Sequence, residues 1–328
     1  MVGFAVLGAG RIGRIHAGNA AAHPRGRLVA VFDIDADAAA AVAAANGAQT
    51  RSVEAILAAD DVEAILICTP TDTHADLIEA GIAAGKAVFC EKPVDLSAER
   101  VRTCLTRIAG QSPPLMIGFN RRFDPSFASV ERRVRAGEIG AVELVTIISK
   151  DPSPPPPSYA ARSGGLFRDM MIHDLDMARF LLGEEPVEVF ASASCLVDPG
   201  IGAAGDVDTA VVVLKTAAGR IAHIANSRRA TYGYDQRIEV HGASGGLRAG
   251  NRTSTTVELG TATGFATDPA LPFFLERYAE AYRAEIDAFI RTIETGRPAG
   301  PSGEDGLKAL ILADAATRSA MTGLPVRL

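Results

Sequence analysis

The chain opens Val2-Gly3-Phe4-Ala5-Val6-Leu7-Gly8-Ala9-Gly10-Arg11-Ile12-Gly13, an apolar run that leads straight into a G-x-G-x-x-G pattern. A helix-compatible stretch follows at Ile12–Ala22, and a second apolar run, Val29–Phe32, ends in the acid Asp33, twenty residues past Gly13. Strand, glycine turn, helix and acid in this order make up the dinucleotide-binding fingerprint. The first glycine permits a tight turn, the second lets a pyrophosphate approach the backbone, and the third lets the helix pack on the strand. Gly8, Gly10 and Gly13 take those places. Arg11 and Ile12 begin the helix whose free N–H groups would face phosphates. Asp33 stands where a carboxylate accepts hydrogen bonds from the adenosine ribose and repels a 2′-phosphate, so NAD is expected rather than NADP. A helix N-cap within Asp33-Ile34-Asp35-Ala36-Asp37 is the competing role, and Asp35 fits it as well as Asp33 does.

Outward from this stretch, short apolar runs alternate with helical patterns. Strands are expected at Ala64–Cys68, Ala87–Cys90 and Leu115–Gly118, and helices at Asp37–Asn46, Asp76–Ala84 and Ser97–Ile108. That alternation predicts a doubly wound parallel sheet with ligands beyond the C-terminal strand ends. After Asn120 the pattern changes. A helix over Pro125–Ala136 precedes β-rich segments at Val142–Ser149, Val187–Leu196, Ala210–Leu214, Ile221–Ser227, Arg237–His241 and Thr255–Leu259, and two helices close the chain near Pro272–Thr295 and Glu304–Thr322. The expected class is α/β: a Rossmann domain over 1–122, then an α+β domain over 123–328 with an open, mostly antiparallel sheet. Pro154–Pro157 reads as an extended stretch, which fits a rigid surface loop and equally a loop at the active-site mouth or a subunit contact.

The 328 residues, 48% apolar and 22% charged with a net charge of −6, suit a protein with two real cores and give no basic block for nucleic acid or anionic membrane. The start lacks a basic n-region, so no secretion signal is expected, and no apolar run has membrane-spanning length. Cys68, Cys90, Cys104 and Cys195 show no paired spacing, as expected of free thiols in a reducing cytoplasm.

Three further segments carry candidate chemistry. Thr69-Pro70-Thr71-Asp72-Thr73-His74 follows one strand, offering Thr69, Thr71 and His74 to the nicotinamide half of a cofactor or Asp72 and Thr73 as helix caps. Glu91-Lys92-Pro93 follows another, where a lysine points into the crevice of a parallel sheet. Ser163–Gly183 reads as one helix, on which Asp169, His173 and Asp176 fall at i, i+4 and i+7 and share a face. A catalytic acid–imidazole–acid stripe and a solvated face both fit that spacing. No HExxH pattern or neighbouring cysteine supports zinc, and no metal is expected.

Taken together, GAGRIG, the acid Asp33, CTPTDTH, EKP, GFNRRFDPSF and GGLFRDMMIHDLDMARFLLG resemble the Gfo/Idh/MocA oxidoreductases along the whole chain. Ser149-Lys150-Asp151-Pro152 with the last of these is most similar to the inositol-oxidising branch. The resemblance implies that Lys92, Asp169 and His173 are catalytic, and that Glu91 and Lys92 join the cofactor contacts. It also implies that Lys92, Arg121, Asp151, Asp169, His173, Asp176 and Tyr234 contact substrate, with Tyr232 competing with Tyr234. The expected reaction is NAD-dependent oxidation of myo-inositol to its 2-keto form, in a homotetramer packed through the second sheet. Scyllo-inositol or an aldose is the nearest alternative substrate. An NAD-dependent glycosidase or an NAD-binding sensor are the more distant readings.

Overall fold

The computed structural model describes residues 1–328 apart from the side chain of Ala161. The chain divides into two compact units, Met1–Phe123 with Ala281–Leu310, and Asp124–Glu280 with Ile311–Leu328. Sequence patterning does not distinguish the returning segment of either unit.

In the first unit, β1 (Val2–Leu7), β2 (Gly26–Phe32), β3 (Gln49–Thr50), β4 (Ala64–Ile67), β5 (Ala87–Glu91) and β6 (Leu115–Gly118) form a sheet in the order β3-β2-β1-β4-β5-β6. Every pairing in it is parallel. Parallel strands need crossovers, supplied by α1 (Arg11–Ala22), α2 (Ala36–Ala45), α3 (Val53–Ala58), α4 (His74–Ala83) and α5 (Ala98–Ile108). All residues of β1 and β4 are buried, which is why these strands read as continuous apolar runs. The strand order reverses between β1 and β4, which puts the ligand crevice of such a sheet at their C-terminal ends. Phe4, Phe89 and Phe289 are fully buried and meet ring to ring, with centroids 6.3 Å and 5.8 Å apart. Each such burial is worth about 2–3 kcal/mol.

The second unit is built on β7 (Val142–Lys150), β8 (Pro186–Ser194), β9 (Thr209–Thr216), β10 (Ile221–Ser227), β11 (Asp235–Gly242) and β12 (Gly245–Ala249). They join the terminal strand in the order β12-β11-β7-β10-β9-β8 and then Val326–Arg327. Only β7 and β10 run parallel; the other pairings are antiparallel. A separate two-stranded ribbon joins β13 (Glu258–Thr261) to β14 (Gly264–Thr267), and Val326–Arg327 is β15. The remaining helices are α6 (Pro125–Arg135), α7 (Pro157–Ser163), α8 (Ile172–Leu182), α9 (Pro199–Ala203), α10 (Phe274–Arg277), α11 (Ala279–Thr295) and α12 (Gly303–Thr322). Along β9, buried Ala210, Val212, Leu214 and Thr216 alternate with residues on the other face. α8 packs against β7 and β10, while Leu144, Phe190, Val211 and Ile221 stay exposed.

Three elements differ from the sequence reading. The helix expected over Ser163–Gly183 is broken. α7 ends at Ser163, Gly164 and Gly165 take positive φ of 86° and 79°, and Leu166–Met170 forms a π-helical turn before α8 begins. Asp206 stabilises the break: its Oδ1 accepts the Leu166 N–H at 2.9 Å, and any Cβ on Gly165 would lie 2.5 Å from that oxygen. The strand expected at Thr255–Leu259 starts only at Glu258 and pairs with β14 rather than the main sheet. The helix expected over Pro272–Thr295 is interrupted at Tyr278, between α10 and α11.

Candidate active site

At the C-terminal ends of β1 and β2 the glycines divide the work. Gly8 has φ of 102°, and a Cβ there would meet the Cys68 carbonyl oxygen at 2.5 Å, so this turn needs glycine to pass the end of β4. A Cβ on Gly13 would lie 1.8 Å from the Gly8 oxygen, so α1 presses directly on β1. A Cβ on Gly10 would meet no atom within 4 Å. Gly10 is the N-cap of α1 and no side chain caps that helix, which leaves amide donors and the positive dipole end facing outward. Asp33 Oδ2 accepts the Ala9 N–H at 2.5 Å and Oδ1 the Asp35 N–H at 2.9 Å, so the acid is fastened to the glycine turn. The capping role falls to Asp35, whose carboxylate accepts the Asp37 and Ala38 N–H groups. An uncapped helix end, a glycine whose absent Cβ leaves open space and an anchored carboxylate together fit a dinucleotide.

After β4, the Thr73 hydroxyl lies 2.7 Å from Thr69 Oγ1 and 2.8 Å from the Pro70 oxygen, closing the turn that carries Thr69 and Thr71. His74 is buried, with one ring nitrogen 2.8 Å from the Thr69 carbonyl and the other 2.8 Å from that of Pro93. Burial pushes its pKa below the ordinary histidine value against the pull of these two carbonyls, so the ring is neutral at pH 7 and donates to one of them. His74 therefore braces the turn after β4 against the turn after β5. In the latter turn the Lys92–Pro93 peptide is cis, and the Lys92 N–H donates to Glu91 Oε2 at 3.3 Å. Burial pushes the Cys68 and Cys90 thiols well up, which makes them inert. Arg121 is buried in the 3₁₀ turn Asn120–Phe123, and Arg122 donates to Asp305 at 2.9 Å. Neither arginine is a free surface charge.

In the second unit, the parallel pairing of β7 with β10 sets Lys150 beside Ser227, so Asp151 and Arg228 leave the sheet side by side. The Asp151 N–H donates to the Ser227 oxygen at 2.9 Å. The buried Arg228 guanidinium donates to Asp169 Oδ2 at 3.4 Å and stands 3.8 Å from Asp151 Oδ2. Tyr159, on α7, donates its hydroxyl to Asp169 Oδ1 at 3.2 Å. Asp169 lies in the π turn and His173 at the start of α8, on either side of Met171, so regular helical spacing does not relate them. Asp176 is buried, with its carboxylate 3.6 Å from Arg179, and Asn226 donates to buried Asp174 at 3.0 Å. Tyr234 is buried edge-on against Phe273 and Tyr278, at 6.1 Å from each. Tyr232 is exposed and donates its hydroxyl to Asp235 at 2.8 Å.

Arg228 and Tyr159 escaped the sequence reading. An arginine one residue past a strand has no local signature, and it becomes a partner for Asp151 and Asp169 only through strand register. Tyr159 sits just after a proline run that reads as loop.

Residues 2–119 match the model of the oxidoreductase family with an NAD-binding Rossmann fold, and residues 127–248 match the GFO/IDH/MocA C-terminal domain. The chain belongs to the GFO/IDH/MocA family. It is 57% identical to the inositol 2-dehydrogenase of Rhizobium meliloti (strain 1021) over 97% of this chain and 96% of that one. The crystal structure of a putative myo-inositol dehydrogenase from Sinorhizobium meliloti 1021 superimposes with a TM-score of 0.97 at 56% identity, covering 100% of this chain and 99% of that one. The scyllo-inositol dehydrogenase of Lactobacillus casei, solved with NAD(H) and scyllo-inositol, gives a TM-score of 0.93 at 29% identity over 100% of this chain and 99% of that one. As a member of this family, the protein is an NAD-dependent oxidoreductase with a Rossmann domain followed by an α+β domain. Among the described residues no helix is long and apolar enough to cross a membrane.

Proposed function

We propose that this protein is an inositol 2-dehydrogenase that oxidises myo-inositol to 2-keto-myo-inositol (scyllo-inosose). The observation that carries this reading is the 57% identity, over nearly the full length of both chains, to a protein of that activity. NAD, once bound, supplies the hydride acceptor. Gly8, Gly10, Arg11, Ile12 and Gly13 would hold its pyrophosphate and Asp33 its adenosine ribose. Thr69, Thr71, Glu91 and Lys92 would flank the nicotinamide half, and His74 would act there by bracing the two turns.

His173 would take the proton of the reacting hydroxyl, since an imidazole titrates near neutral pH. Asp169 would orient that imidazole and stabilise its protonated form; its own orientation is fixed by Tyr159 and Arg228. Lys92 would hydrogen-bond the reacting oxygen and favour the developing alkoxide. Arg121, Asp151, Asp176 and Tyr234 are the proposed contacts to the other hydroxyls, with exposed Tyr232 as the competitor of Tyr234. In this division of labour, residues 1–122 bind the cofactor and residues 123–328 serve substrate binding and assembly. The exposed apolar side chains Leu144, Phe190, Val211 and Ile221 on the second sheet suit packing against further copies, as in a homotetramer. A cytoplasmic place in inositol catabolism completes the reading.

The test is NADH absorbance when the purified protein and NAD+ meet myo-inositol, scyllo-inositol, D-glucose and D-xylose separately, with NADP+ in parallel. Fast turnover of myo-inositol supports the proposal. Turnover of scyllo-inositol alone would replace the substrate and favour the likeness to the Lactobacillus casei enzyme. NAD binding without any turnover would refute the dehydrogenase mechanism.

A further inference from the structure

Behind the end of β5, side chains from three elements of the first unit meet: His16 of α1, Glu91 of β5 and Glu285 of α11. One donor atom from each lies within 4.8 Å of the others. His16 Nε2 is 2.8 Å from Glu91 Oε1 and 3.9 Å from Glu285 Oε1. His16 and Glu285 are fully buried, and only the Glu91 side chain retains slight exposure. The His16 ring is held edge-on by Phe89 at 4.9 Å and Tyr282 at 5.7 Å, so it has little freedom to turn away. On the far side, a Cβ on Gly118 would lie 3.1 Å from the Glu91 carboxyl group, so β6 makes room for that carboxylate only by carrying glycine there.

Two carboxylates and an imidazole are costly in a dry pocket unless one acid is neutral. Burial, and then the charge of Glu91, pushes Glu285 well above the ordinary carboxylic acid range, toward its neutral form. Glu91 Oε1 accepts the His16 Nε2–H at 2.8 Å. Neither Glu285 oxygen nor His16 Nδ1 has a hydrogen-bond partner. Such unsatisfied groups lower stability, and the arrangement therefore calls for a role other than holding the fold.

We propose that His16 and Glu285 are positioning residues for Lys92. They set the Glu91 carboxylate, whose second oxygen accepts the Lys92 N–H at 3.3 Å, and so fix the turn from which the lysine side chain departs. The inference rests on the reading of Lys92 as a catalytic residue. His16 supplies the hydrogen bond, neutral Glu285 supplies shape without a second charge, and the Phe89–Tyr282 slot keeps the ring in register.

The experiment compares steady-state kinetics, NADH affinity and melting temperature for His16→Leu, His16→Gln, His16→Asn, Glu285→Gln and Lys92→Ala in the full-length protein. Glutamine can place an amide N–H near the position of Nε2, whereas asparagine places it near Nδ1. The expected result for His16→Leu and His16→Asn is a kcat loss of at least about tenfold, as for a misplaced catalytic group, with NADH affinity and KM for the polyol little changed. His16→Gln should recover most of kcat, and Glu285→Gln should stay within about twofold of the parent, as a neutral isostere would. If His16→Leu does not fold, the contrast between the glutamine and asparagine variants decides. Equal kcat in those two variants overturns the proposal. So does a large loss in Glu285→Gln, which would mean that Glu285 acts through its charge, or a stoichiometric divalent cation found by elemental analysis of the purified protein, which would make the cluster a metal site. Lys92→Ala with undiminished kcat would refute the catalytic reading of Lys92 instead, whatever the His16 variants do.

Discussion

Gly10→Ala adds one methyl group at the start of α1, where it separates cofactor binding from folding. The residue has φ of −68° and ψ of −168°, a conformation that alanine adopts without strain. The new Cβ would touch no protein atom within 4 Å. Stability should therefore stay level or rise by up to about 1 kcal/mol, because alanine has less freedom to lose from the unfolded chain. For a pyrophosphate seated over this turn, the methyl is an intruder. Overfilling a packed site costs about 1–3 kcal/mol, which corresponds to roughly 5- to 150-fold weaker NAD binding. Gly13→Ala is the control. Its Cβ would lie 1.8 Å from a backbone oxygen, so α1 must move off β1, and both melting temperature and NAD affinity should fall. NADH fluorescence titrations and thermal melts on the two variants make the comparison. Parent-like NADH affinity in Gly10→Ala would refute the placing of the phosphates, and a melt as low as that of Gly13→Ala would refute the claim that the turn is open.

Asp33→Ser should cut the NAD-over-NADP preference in kcat/KM by about tenfold or more, because hydrogen bonds to a charged acceptor are worth about 1.5–3 kcal/mol. An unchanged ratio would remove Asp33 from the ribose role. Arg228→Met should lower kcat at least about tenfold by freeing Asp169 and Asp151 from their shared cation, with NADH affinity unchanged; parent-like kcat would make the guanidinium a structural group only. Burial pushes the Asp208 carboxyl up, but the N–H groups of Leu196, Asp198 and Val197 and the Thr209 hydroxyl outweigh it and bring it from 3.8 down to about 2. A depressed pKa stabilises the fold above the unfolded value and ceases to do so as pH falls through the folded one, here a term of about 2 kcal/mol. Asp208→Asn should accordingly be about 2 kcal/mol less stable at neutral pH in urea titrations, with the gap closing toward pH 2; a gap independent of pH would contradict this.

The Rossmann half was legible because its signals are local. A glycine turn, buried strands of four to seven residues and an acid at a set distance each write themselves into a few adjacent positions. The broken helix around Asp169 was not legible. The Gly164-Gly165 pair announces a break, but the π turn beyond it depends on Asp206, which reaches Leu166 from a distant loop. Tyr232 and Tyr234 could not be told apart because residues two apart share a face in an extended strand; both in fact precede β11, and the turn there buries Tyr234 against Phe273 and Tyr278 while Tyr232 stays exposed. Nor could Arg228 be picked out, since its partners Asp151 and Asp169 reach it through the pairing of β7 with β10 and the turn before α8. What the chain encodes between neighbours can be read from it, whereas what it encodes through register and return must be seen folded.

The division of each unit into two stretches of chain has a consequence for the order of synthesis. The first unit's sheet is complete by Gly118, yet Ile286, Phe289 and Ile290, which pack with Phe4 and Phe89, belong to its returning segment. A nascent chain emerging from the ribosome must therefore carry an unfinished nucleotide-binding sheet through translation of the entire second sheet up to β12. During that interval Phe4 and Phe89 lack the residues that cover them. The second sheet waits in its turn for Val326–Arg327 to pair with β8, so the first unit is complete only once Leu310 is made and the second only once β15 is made.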